Sequence, residues 1–210
     1  MRAASAQSPI LLRLSHAQQC AAAALGYGTL AAYQASPDES SNLSEATHVV
    51  LEVDRLVACS QELRGLHDEK GLIVLIRAAF AEKLPGVVVH SSLDQLEDAL
   101  RDRVQQFVLN EERATGVMAQ TNSDGIQEIY LPLDVPWDDI PLDGELLEIP
   151  INGHVSMKPD VERPYVGHRI DISATLALGR IGRAVLSTVA CRVKSAELDY
   201  HWSDEGEEEL

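Results

Sequence analysis

The spacing of apolar residues changes once along this chain, and that change sets its fold class. Up to Asn110, apolar residues recur three and four positions apart, which lines one face of a helix. Beyond it they alternate, which is the spacing of a strand with one buried face. Leu93, Leu96, Leu100, Val104 and Phe107 keep one side, while Asp94, Glu97, Asp98, Arg101, Asp102 and Arg103 load the other. Ser92 with Gln95 has the spacing of a capping box in front of that run. In the second half Ile170, Ile172, Ala174, Leu176 and Leu178 alternate with Arg169, Asp171, Ser173, Thr175 and Ala177. The expected fold is therefore α+β: a mostly helical region over 1–112, an antiparallel β meander or half-barrel over 113–203, and an acidic tail over 204–210.

Within the helical half, Ser15 with Gln18 has capping-box spacing before an alanine-rich run, and Gly26 supplies a stop. A second short helix from about Thr29 to Gln34 completes a small helix–turn–helix over 15–34. The spacing places further helices after Asp54 and Asp68, the second carrying Leu72, Ile73, Leu75, Ile76, Ala79 and Phe80 as its buried set. The β-rich runs 48–53 and 87–89 read as strands. If the Val87 run joins the sheet, the two halves make one domain. In the β half, Asn122-Ser123-Asp124-Gly125 between the runs 115–120 and 126–131 predicts a hairpin. Pro150 predicts an edge or a bend in its strand.

The run Ser15-His16-Ala17-Gln18, then Ala22, Leu25-Gly26-Tyr27 and Ala31 to Tyr33, resembles a two-helix module of uncharacterised bacterial proteins, some of them labelled glyoxalase-related or plasmid-associated. The resemblance spans residues 15–33. It implies a bacterial accessory protein, and it transfers no glyoxalase metal ligands, because no His/Glu set matches position by position.

Charge narrows the function classes. The chain has 33 acidic and 17 basic residues, net −16. A body this acidic repels phosphate backbones at long range, so nucleic acid is disfavoured as a partner. The residues of 151–196 reverse the sign, with seven basic and three acidic side chains, whereas 197–210 holds seven acids and no base. No stretch approaches 18 uncharged apolar residues, so no membrane-spanning helix and no membrane partner is expected. Cys20, Cys59 and Cys191 are widely spaced, without CxxC or His/Cys zinc spacing. They read as small core residues in a reducing, cytoplasmic compartment, with no metal and no cofactor expected.

Two residue sets carry the functional expectations. His90-Ser91-Ser92 and His154-Val155-Ser156 share a His-x-Ser form. In two-histidine phosphodiesterases, which these motifs resemble, one imidazole acts as base and the other as acid while hydroxyls hold the phosphate oxygens. That reading nominates His90, Ser92, His154 and Ser156 as catalytic; the plainer reading makes the serines helix caps. The second set is Tyr27, Tyr33, Arg180 and Arg183, a partner-binding surface on the helical hairpin and the strand turn Gly179–Arg183. The leading expectation is a non-enzymatic bacterial accessory protein that works by protein–protein binding, self-association included. The alternatives are the two-histidine phosphodiesterase and an acidic nucleic-acid mimic that inhibits a DNA-binding enzyme.

Overall fold

A computed structural model of the chain describes residues 13–36, 43–63, 69–160, 162 and 168–199. The fold is α+β, with helices concentrated toward the N-terminus and strands toward the C-terminus. The described helices are α1 (Leu14–Ala24), α2 (Leu30–Gln34), α3 (Val53–Glu62), α4 (Glu69–Lys83), α5 (Leu93–Asn110) and α6 (Glu112–Met118). The strands are β1 (His48–Val50), β2 (Val88–His90), β3 (Ser123–Tyr130), β4 (Leu146–Pro159), β5 (Arg169–Arg180) and β6 (Val185–Asp199). Their order in the sheet is β2-β1-β6-β5-β4-β3, so the Val87 run does join the sheet. The chain divides into two compact units, Met1–Gln95 with Arg180–Ser187 and Leu96–Gly179 with Thr188–Leu210.

In the first unit the alanine-rich helix ends as the sequence predicts. Tyr27 N–H donates to the Ala22 carbonyl and Gly26 N–H to the Ala23 carbonyl. Gly26 takes φ +87°, the left-handed conformation that this cap requires. Thr29 caps α2 by accepting from the Ala32 N–H. The start of α1 differs from expectation: Arg13 is the N-cap and makes no side-chain cap bond, so Ser15 lies inside the helix. Asp54 likewise lies inside α3, whose N-cap is Glu52; the Glu52 side chain makes no cap bond, and its N–H donates to the Ala24 carbonyl. The proposed cap Asp68 and the apolar position Leu66 lie outside the described residues.

Helices α3 and α4 form the crossover that parallel strands need, and β1 and β2 pair in parallel with Val49 opposite Val89. Those valines pack into a core with Cys20, Leu25, Tyr27, Leu56, Leu72 and Ile76. The returning chain adds Ile181, Ala184 and Val185, and Val185 pairs with Val49.

In the second unit, α5 buries Leu96, Leu100, Val104 and Val108 at four-residue spacing. Val108 thus takes the place expected for Phe107, which is 40% exposed. Residues 115–120, expected as a strand, fall largely in α6. Glu111 caps that helix by accepting from the Arg113 and Ala114 N–H groups, and Ala114 is fully buried. The expected hairpin therefore does not form, and β3 pairs instead with the far end of β4. β4 and β5 pair without interruption from Leu146↔Gly179 to Ser156↔Arg169. They bury Ile149, Ile151 and Val155 on the same face as Leu176, Ala174 and Ile170. Pro150 is tolerated because β3 covers only His154 to Pro159 of β4, leaving Pro150 no ladder partner on that side.

Candidate functional site

The structure gives His90 a histidine partner that the sequence did not suggest. His48 closes onto it from β1, with Nδ1 2.9 Å from His90 Nε2. The rings stack at 5.2 Å and 19°, and both are buried. One nitrogen must donate and the other accept, so the contact requires that one of the two facing nitrogens carry no proton. Burial holds the His90 imidazole below its ordinary pKa, helped by the Arg77 charge and opposed by a backbone hydrogen bond at Gln95. Ser92 serves as a cap: its Oγ accepts from the Gln95 N–H, while Gln95 Oε1 accepts from the Ser91 N–H. The hydroxyl nominated to hold a phosphate is thus committed to starting α5.

All four nominated partner-binding residues meet in the first unit. Arg183 lies over the Tyr27 ring at 5.2 Å and its Nη1 donates to the Gly26 carbonyl at 3.4 Å. Tyr33 meets Tyr27 edge-on at 5.3 Å. Arg180 is buried and turns back on its own strand turn, donating to the carbonyls of Gly182 and Arg183. Tyr27 is only 4% exposed. The cluster therefore ties the helical hairpin to the strand turn, and only Arg183 and part of Tyr33 keep solvent-facing surface.

His154 and Ser156 lie two apart on the open face of β4, in the second unit. His154 pairs across the strands with Asp171, and Ser156 with Arg169. The Tyr130 ring sits 5.5 Å from the His154 ring. Arg169 Nε donates to Asp171 Oδ1 at 3.0 Å. Tyr130, His154, Arg169 and Asp171, with Asn152, Ser173, Ser195 and Glu197, line an open cleft of about 480 Å³.

The largest departure from expectation is on α4. Of its expected buried set, only Leu72 and Ile76 are fully enclosed, while Ile73 and Phe80 pack partly against the core. Leu75 is 38% exposed and Val74 67%, and Ala78 and Ala79 are also at the surface. Val74, Leu75 and Ala78 follow helical spacing, so they share a face. Arg77 is the one charged residue between Lys70 and Glu82.

The cysteines are buried or half-buried thiols. Burial and the neighbouring Cys59 push Cys20 up to about 11, and burial raises Cys59 and Cys191. Protonated thiols of this kind are poor nucleophiles and poor metal ligands. Among the described residues, no group of three or more His, Cys, Asp or Glu side chains is placed to hold a metal ion. No described helix is long and apolar enough to cross a membrane. Comparison of the chain with family models, with curated proteins and with solved structures gives no match.

Proposed function

We propose that this protein is an accessory protein that acts by binding another protein, presenting the outer face of α4 to an apolar groove of its partner. The observation that carries this reading is the exposure of Val74 and Leu75 on a helix that is apolar over most of its circumference between Lys70 and Glu82, Arg77 being the one charge there. A helix of that kind normally has both sides covered, and here only the side of Leu72 and Ile76 is enclosed by its own unit. Full burial of a side chain of this kind contributes about 1.5–3 kcal/mol; a partner groove would recover most of that at Val74, which is 67% exposed, and a smaller part at Leu75. An amphipathic helix read by residues three and four apart is a common way for one protein to engage another.

A photo-crosslinking residue placed at position 74 of the full chain, expressed in the source cell, is expected to capture one protein species in high yield. The same residue at Glu62, an exposed polar position, is expected not to. Equal and diffuse labelling from both positions would contradict the proposal. The acidic-mimic alternative differs in its salt response: contacts through Val74 and Leu75 are insensitive to ionic strength, whereas charge mimicry weakens steeply with added salt.

A further inference from the structure

The cleft on the open sheet face of the second unit has a composition that selects its ligand by what it rejects. Asp171 and Glu197 line it, so an anion meets repulsion. Arg169 lines it too and already occupies one oxygen of Asp171, so the charges of the lining partly offset one another. Such a lining suits a ligand of little net charge able both to donate and to accept hydrogen bonds at several points. The walls offer that mixture: carboxylate acceptors, a guanidinium donor, the Asn152 amide that does both, and the Ser173 and Ser195 hydroxyls that do both.

An aromatic plate completes the site. Tyr130 is 53% exposed and its ring is tilted 36° from that of His154. Its position is set by the backbone. Tyr130 pairs with His154 across β3 and β4, and the adjacent Gly153 has no room for a Cβ because the Tyr130 carbonyl occupies that space. The plate and the polar groups thus stand on paired strands, which hold a site more rigidly than loops. Clefts of roughly 300–1,000 Å³ suit small organic ligands generally; the observed volume of about 480 Å³ falls within that range.

We infer that this cleft binds a neutral carbohydrate, with the C–H face of one sugar ring laid on Tyr130 and its hydroxyls held by Asn152, Asp171 and Glu197. The inference is independent of the α4 face: it concerns the other unit, different residues and a different ligand class.

The test is calorimetric titration of the full chain with three neutral trisaccharides (cellotriose, maltotriose and tri-N-acetylchitotriose), with spermidine and citrate as charged probes. At least one trisaccharide is expected to bind at millimolar concentration or below, more tightly than either charged probe. Tyr130→Ala is expected to weaken that binding about tenfold, the loss of one stacked ring. Glu197→Gln, at an exposed position that leaves folding intact, is expected to weaken it in the same direction. Absence of binding by all three trisaccharides would overturn the inference. So would tighter binding of spermidine or citrate, or wild-type affinity in both variants. None of these results bears on crosslinking at position 74, so the two proposals stand or fall separately.

Discussion

The buried contact between His48 and His90 makes one residue pair a determinant of how stability follows pH. Because the folded state holds the His90 pKa below its ordinary value near 6.5, the unfolded chain binds a proton more readily. Stability from this group is therefore present above about pH 6.5 and is lost as the pH falls through that value toward the lower folded pKa. The melting temperature should drop between pH 7.5 and pH 5, and His90→Gln should flatten that part of the curve. An unchanged slope in the variant would remove the pair from the account. Tyr27 offers a second test at this scale. Its ring packs in the core, but its hydroxyl is buried without a hydrogen-bond partner among the described residues. Tyr27→Phe should be neutral or mildly stabilising, since the orphaned group is removed, whereas Tyr27→Ala should cost about 3–5 kcal/mol. Chemical denaturation of the two variants distinguishes this packing role from a surface role, in which both would fold as the wild type does.

At the scale of elements, local signals are followed at some helix ends and not at others: Ser15, with the same capping-box spacing as Ser92, lies inside α1. Ser92 and Gln95 start α5 as their spacing predicts, because a capping box is closed by residues three apart. Gly26 and Thr29 also behave as read. The run 115–120 misleads because six residues hold too few apolar positions to separate a period of 2 from one of 3.6, and the cap at Glu111 decides the matter for helix. The burial of α4 was overestimated for a related reason: periodicity identifies apolar faces but not whether the chain itself covers each one. The His48–His90 pair was illegible, since it joins positions 42 residues apart through a parallel register that only the fold supplies. Gly153 is the element-scale prediction. A Cβ there meets the Tyr130 carbonyl and lies 3.1 Å from Leu131 Cα, so Gly153→Ala should separate β3 from β4 and cost at least about 2 kcal/mol. Thermal unfolding that matches the wild type would show that the β3–β4 pairing accommodates the methyl group.

For the whole molecule, the net charge of −16 and the apolar face of α4 predict different kinds of association. Charge governs long-range steering and weakens with salt, while burial of Val74 and Leu75 does not. The α+β class, the meander and the helical N-terminal half were readable from period alone, whereas the binding surface became visible only once burial was known. The direct test is the affinity of the chain for the protein captured at position 74, measured for wild type and Val74→Glu at low and high salt. Val74 is exposed, so the substitution should change folding stability by no more than about 0.5 kcal/mol. The account predicts at least about a tenfold loss of affinity for Val74→Glu, with little effect of salt on the wild type. Wild-type affinity in Val74→Glu, or binding that collapses with salt, would contradict it.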